Sequence, residues 1–508
     1  MSRRGDDGQR ESVLWWTLDL GRHVKEFAAV INPPELIIRN ARLVDGTGGP
    51  SVRGDIAVTD DRIVGLGDLG RAEGTVEIDA SGKAVAPGFI DVHTHDDRAL
   101  LIDPLMAPKV SQGVTTVVTG NCGVSLAPLH TSGRPPAPLD LVCPDGEGFF
   151  GDFGNYLAAL DAEPAAINAT CLAGHASLRV EAMDSLDRPA TSGEIAVMRQ
   201  RLEQAMEAGA IGLSTGLFYA PATAAPTEEI IELAKAVQGA GGIHTTHMRD
   251  EGDYVSESLE ETFTIGREAG VPVVISHHKC AGHANFGRST DTLAQIERAR
   301  QHQPVSLDAY PYVASSTTLA SARHLGASRV LVTWSEARPE AAGRDLTDIA
   351  ADMGLDLEAT VDALMPAGGI FFMMDEADVR RILAYPGTMI GSDGLPHDEF
   401  PHPRLWGTFP RVLGHYARDV GLFSLEEAVH KMTGLPARNF GLVDRGVLDV
   451  GAVADLVLFD PETVIDTATF ERPAQPATGI ELVMVNGRTV WRDGASTGAR
   501  PGRALRRA

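Results

Sequence analysis

Eight apolar runs alternate with helical stretches through the middle of this chain, and that alternation restricts its fold more than any other feature. The runs cover residues 84–95, 115–122, 168–175, 211–217, 242–248, 272–279, 304–312 and 388–394. Helical stretches lie between most of them, such as 194–208, 227–240 and 290–301. Apolar strands alternating with helices read as parallel βα units. Eight such units predict a TIM-type (β/α)8 barrel over residues 84–442. The gap before the last run is too wide for one crossover, so 313–372 is expected to be an insertion lying over the barrel mouth as a lid.

The chain ends have a different character. Residues 36–44 and 54–58 read as strands around the turn cluster Asp45-Gly-Thr-Gly-Gly49. Residues 455–459 and 481–491 do the same near the other end, with Asn486-Gly487 as a hairpin turn. Residues 35–83 and 443–508 are therefore expected to combine into one small β-sandwich domain. Residues 1–34 match neither pattern and lack the apolar core and cleavage site of a secretion signal. They read as an N-terminal extension, expected to be poorly ordered.

Charge narrows the partners. The 508 residues carry 44 basic and 69 acidic side chains, a formal net charge of −25. Such a chain repels nucleic acid and anionic membranes, but a local basic pocket can still bind a small anion. No apolar run reaches the ~18 residues of a membrane span. Four cysteines in so long a chain form no disulfide framework, which points to a reducing cytoplasm.

Groups able to bind metal recur where the apolar runs end. His93 and His95 close the first run, and their two-residue spacing puts them on one face of a strand. Cys122 ends the second, His247 the fifth, His277 the sixth and Asp393 the eighth. Barrel active sites lie at the C-terminal ends of the strands. A single histidine there fits a structural role, but six N, S or O donors at five strand ends point to a metal site. Neutral imidazole and thiolate suit Zn²⁺. Asp393, in Gly391-Ser-Asp-Gly394, is placed to move a proton beside such a metal, although a turn cap is the alternative. Cys143, Cys171 and Cys280 read as structural. His175, His278, His397 and His402 read as supporting or surface groups, and His283 is left open.

The motifs Gly88-Phe-Ile-Asp-Val-His-Thr-His-Asp-Asp97, Gly120-Asn-Cys-Gly123, Gly212-Leu-Ser-Thr-Gly-Leu-Phe-Tyr219, Thr246-His-Met-Arg-Asp-Glu251, Ile275-Ser-His-His-Lys279, Asp308-Ala-Tyr-Pro-Tyr312 and Gly391-Ser-Asp-Gly394 together resemble the amidohydrolase superfamily. Within it they resemble the N-acyl-D-amino-acid deacylases (D-aminoacylases), over nearly all of residues 35–508. Dihydroorotases and hydantoinases bridge two metals with a carboxylated lysine, but the fourth run has none. In the deacylases a second-strand cysteine takes that place, and Cys122 fits it.

The resemblance implies a tightly held zinc on Cys122, His247 and His277, with one open position. His93, His95 and Asp393 would form a weaker second site, empty or inhibitory. Asp393 would act as general base and then general acid, and Tyr219 would help stabilise the oxyanion. Lys279, Tyr310, Ser316 (or its neighbour Ser315) and Arg404 would meet the substrate α-carboxylate. From the residues alone, Arg404 fits a surface charge equally well. Phe371, Phe372, Met373 and Met374 are candidates for the lining of the side-chain pocket, with plain core as the alternative.

The expected function is zinc-dependent hydrolysis of the amide bond of N-acyl-D-amino acids. The alternatives are a cyclic-amide hydrolase, a deacylase restricted to acidic D-amino acids, and a non-catalytic barrel scaffold. Oligomeric state is open.

Overall fold

The computed structural model of this protein describes residues 33–131, 133–323 and 326–507. The expected extension lies outside them except for its last two residues. Eight short parallel strands form the barrel: β1 (Phe89–Asp91), β2 (Val114–Thr119), β3 (Asn168–Cys171, continued by Ala173–Gly174), β4 (Gly212–Gly216), β5 (Ile243–His247), β6 (Val273–Ile275), β7 (Val305–Ala309) and β8 (Thr388–Ile390). The first half of β3 pairs with β2 and the second half with β4, and pairing then runs in order to β8. The ring closes at a seam between β8 and β1, marked by the parallel bridge Thr94–Gly394.

Strand side chains alternate between the two faces. Ile90, Val118, Leu172, Ile243, Val274 and Met389 share one buried cluster that fills the barrel. Their neighbours Phe89, Val117, Val273, Ile275 and Leu307 belong to the layer packed with the helices. Helix ends follow from local chemistry. Ser192–Ala208 starts at a capping box, in which Thr191 Oγ1 accepts the Glu194 N–H and Glu194 in turn accepts the Thr191 N–H. It stops at Gly209, whose φ of +118° favours glycine.

Both chain ends contribute to a second, nine-stranded sheet. Its central strand Leu36–Leu43 changes partner along its length, pairing first with Val76–Asp79 and then with Ala84–Val85. Asn40, at φ +61°, sits in the irregularity between the two pairings. Ile38, Ile56 and Val58 share a core there with Leu456, Leu458 and Met484.

Three expectations change. Residues 84–95 are not one barrel strand. Ala84–Pro87 belongs to the end-built sheet, antiparallel to Leu456–Phe459, and only Phe89–Asp91 enters the barrel. Gly88 allows the break: a Cβ there would lie 2.2 Å from the Thr115 side chain. The small β domain therefore extends past residue 83. At the other end the tail leaves that domain, and Ala504 bridges Ala169 of β3 while Leu505 N–H bonds the Ala169 carbonyl. A backbone strip running along the barrel has no apolar periodicity to announce it.

Between β7 and β8 the chain builds an antiparallel three-stranded sheet, Ala314–Thr318, Ala367–Phe372 and Arg329–Ser335 in spatial order. The helices Leu346–Met353 and Leu357–Leu364 cover it. No helix among the described residues is long and apolar enough to cross a membrane.

Candidate active site

The C-terminal ends of the strands converge on a cavity of about 450 Å³. Three of the chemistry-bearing residues there have a left-handed backbone: Cys122 at φ +53°, His277 at +37° and Asp393 at +52°. Non-glycine residues adopt this conformation rarely, and strain of this kind concentrates at functional sites. Around Cys122 the loop is permitted by Gly120 and Gly123; a Cβ on Gly120 would lie 2.2 Å from the Leu172 carbonyl oxygen. These turns aim side chains into the mouth that a regular strand would have placed elsewhere.

All six predicted donors meet, in two sets that share one atom. Cys122, His247 and His277 form one set; His93, His95, Cys122 and Asp393 form the other. Within each set the candidate ligand atoms lie within 4.8 Å of one another, and every residue is buried. Cys122 Sγ is 3.2 Å from His93 Nε2 and 3.4 Å from His277 Nε2. Asp393 Oδ1 is 3.3 Å from His95 Nε2 and 3.6 Å from His93 Nε2.

The donor side chains are strongly coupled electrostatically. Burial alone would raise the Cys122 thiol, but His93 and His277 beside it outweigh that and hold it well below its ordinary range, as thiolate. Burial lowers His247, which favours the neutral imidazole that a metal requires, whereas burial is outweighed at His93, His95 and His277, which their acidic neighbours raise. Burial also opposes the charge on Asp393, but the Arg404 guanidinium, 2.9 Å from Oδ2, and His95 keep it well below the usual carboxylate range. Soft sulfur with imidazole is a zinc-type donor set, so the residues present fit that ion.

The predicted substrate groups divide. Tyr219, Lys279, Tyr310 and Ser316 line the cavity, as does Ser315. Tyr219 bonds Thr317 Oγ1 at 3.1 Å, and burial raises its phenol far above its ordinary range, so it stays a neutral donor. The Tyr310 hydroxyl is buried without a partner, and Lys279 Nζ and Arg404 Cζ lie 5.7 and 4.5 Å from its ring centroid. Ser316 Oγ donates to the Gly369 carbonyl at 3.3 Å. Arg404 is fully buried, which overturns the surface reading. It stands behind the wall, its Nη2 bonded to Asp393 and to the Ser316 carbonyl, with Nε and Nη1 unpartnered. His402 holds it: its Nδ1 accepts the Arg404 N–H, which leaves Nε2–H to donate to the Ala314 carbonyl.

Met373 lines the cavity, whereas Phe371 is core. His283 also lines the cavity, while His278 bonds Thr292 and His175 bonds Glu229, away from the donor sets. Cys143, Cys171 and Cys280 are free, buried and outside both sets. Strand β4 carries Ser214 and Thr215 but no lysine.

Two residues had no role in the sequence reading. Glu251 bonds His277 Nδ1 at 3.0 Å and Lys279 Nζ at 2.7 Å, and lies 3.7 Å from His247 Nε2. Asp308 accepts the His277 N–H at 2.9 Å and lies 3.4 Å from His93 Nδ1. Carboxylates of this kind orient metal-binding histidines. A hint of each was present, in an acidic residue four places after His247 and another inside an apolar run.

A parallel barrel with two linked donor sets at its C-terminal mouth defines a metal-hydrolase type of enzyme. Residues 76–238 and 231–491 match the amidohydrolase family. A D-aminoacylase of Alcaligenes xylosoxydans xylosoxydans is 58% identical over 475 residues, covering 94% of this chain and 98% of that protein. An N-acyl-D-aspartate deacylase of the same organism is 55% identical, covering 93% and 95%. The structure of an N-acyl-D-glutamate deacylase from Bordetella bronchiseptica, complexed with zinc and a phosphonate inhibitor, superposes with a TM-score of 0.91 at 47% identity, covering 94% of this chain and 100% of that one. This chain belongs to the amidohydrolase family and is an enzyme of that class. Within the family it falls on the N-acyl-D-amino-acid deacylase branch, beside the D-aminoacylases.

Proposed function

We propose that this enzyme hydrolyses the amide bond of N-acyl-D-amino acids with zinc, releasing a carboxylate and the free D-amino acid. The observation that carries this reading is the pair of buried donor sets joined through Cys122, with Asp393 and its Arg404 partner at their edge. The high identity to deacylases of D-amino-acid derivatives supports it. Four unpaired cysteines fit a reducing, cytoplasmic setting.

In this reading Cys122, His247 and His277 hold the tight zinc, and His93, His95 and Asp393 form a weaker site that shares Cys122. When bound, zinc supplies a Lewis acid that polarises the amide carbonyl and acidifies water. Asp393, kept ionised by Arg404, takes a proton from the attacking water and returns it to the departing amine nitrogen. Tyr219, which stays neutral, donates a hydrogen bond from its hydroxyl to the oxygen that gains charge. Lys279, the Tyr310 hydroxyl and Ser316 receive the α-carboxylate, while Arg404, behind the wall, acts on Asp393 rather than on substrate. The insertion contributes Ser315, Ser316 and Thr317 to the wall, and so acts as the lid that shapes the side-chain pocket.

The wall also bears on the side chain. Among the described residues lining the cavity, Lys279 is the one Lys or Arg, and it is paired with Glu251. Asp250 and Asp253 line it too, with Leu141, Val142 and Met373. Neutral, apolar side chains are therefore favoured over acidic ones. N-acetyl-D-methionine, -leucine and -phenylalanine should exceed N-acetyl-D-glutamate in kcat/KM by about tenfold or more, since one uncompensated like charge readily costs ~1.4 kcal/mol. The four L-enantiomers belong in the same assay. Hydrolysis of the L series alone overturns the D-specific reading, and preference for D-glutamate overturns the side-chain assignment.

Glu251→Gln tests the support of the tight site. Removing an orienting carboxylate typically weakens metal affinity by about 10–100-fold, and competition against a chelator reads that directly. Unchanged zinc affinity would remove Glu251 from this role.

A further inference from the structure

The seam between β8 and β1 has the sparsest strand pairing in the ring, yet it carries His93, His95 and Asp393. Among the described residues, the Thr94–Gly394 bridge and the 2.7 Å bond from Asp393 N–H to the His93 carbonyl join the two backbones directly. Beneath them lies a buried ionic cluster that plays no part in the proposed chemistry. Lys109, on the short helix Ala107–Val110, is fully buried. Its Nζ donates to Asp91 Oδ2 at 2.8 Å and to Ser392 Oγ at 2.9 Å, and lies 3.1 Å from Asp96 Oδ2. Asp91 Oδ1 in turn accepts the Ser392 N–H at 2.7 Å and the His93 N–H at 3.4 Å.

The bonding pattern is specific. One ammonium ties the residue two before His93, the residue after His95 and the residue before Asp393. The cluster thus crosses the seam at the three points that set the spacing of those donors. None of Lys109, Asp91, Asp96 and Ser392 lines the cavity, so none of them meets substrate. An ammonium is costly to bury, and two carboxylates with a hydroxyl hold this one in a defined place.

We propose that Lys109 is a positioning residue. It sets the distance between the histidines that follow β1 and Asp393 across the seam, and so determines how tightly the second ion is held while leaving the first untouched. Cys122 and His277 follow β2 and β6 and His247 ends β5, and Lys109 bonds none of them. This assignment rests on the reading of His93, His95 and Asp393 as a metal-binding set.

Zinc titration of the full chain, loaded with its first ion, tests it. Two variants are compared with wild type: Ser392→Ala, which removes one bond and leaves the ion pairs intact, and Lys109→Met. Second-zinc affinity is expected to fall about tenfold or more in each, the usual effect of losing a supporting contact, with first-zinc affinity unchanged. Thermal unfolding shows which variants are folded, and Ser392→Ala decides the matter if Lys109→Met is not. Wild-type second-zinc affinity in Ser392→Ala overturns the proposal. So does a parallel loss at both sites, which would mark general loosening. A wild-type chain that takes up only one zinc overturns the donor-set reading and the positioning role with it.

Discussion

Replacing Cys122 with alanine is expected to strip the barrel of its zinc and most of its activity. Cys122 Sγ belongs to both donor sets, so its removal leaves the tight set two imidazoles, too few to hold the ion at ordinary free zinc. The lost Lewis acid corresponds to several kcal/mol of transition-state stabilisation; ~4 kcal/mol is about 10³ in kcat. Alanine keeps the Cβ and meets the same φ of +53°, so the fold should survive and the loss can be assigned to the sulfur. Zinc analysis beside thermal unfolding separates the two effects. Wild-type protein treated with a strong chelator should fall to the same residual rate and recover when zinc is added back. A Cys122→Ala protein with full zinc and wild-type turnover would refute the proposed metal site.

The second large effect is expected from Asp393→Asn. The amide keeps an oxygen to accept from Arg404, 2.9 Å away in the present structure, so packing is conserved while basicity is lost. Loss of a general acid–base group costs about 10²–10⁴ in rate. The fall should appear in kcat, with KM nearly unchanged, because the α-carboxylate contacts do not depend on the Asp393 charge. The tight zinc should remain, since Asp393 is outside that set. A large rise in KM at unchanged kcat would instead make Asp393 a substrate-binding or structural group.

Much of the fold was legible because the controlling signals are local. Apolar runs such as the one ending at His93 and the one containing Ile243 and Met248 mark buried strands, and helices between them impose parallel order. Polar residues that end an apolar run stand at the strand's C-terminal mouth. All six candidate donors carry that signal. Ala84–Pro87 was misplaced because its four apolar residues look the same whichever sheet covers them. Its partner Leu456–Phe459 lies more than 350 positions away, and no local pattern records that pairing.

Residue chemistry and strand periodicity alone therefore determined a barrel and placed six candidate donor side chains at its mouth, while Cys122 in place of a bridging lysine is what the family resemblance implied. Tertiary structure decided how those candidate donors group, in two sets that share the Sγ of Cys122. It also decided that Arg404 is buried against Asp393, that Glu251 and Asp308 hold the histidines, and that Lys109 ties the seam. The reason is physical. Periodicity reports which way a side chain leaves its own strand, whereas a buried charge is fixed by partners that chain folding brings from far away in sequence. Such a group is tolerable only once those partners are in place, and nothing in its immediate neighbours reveals them.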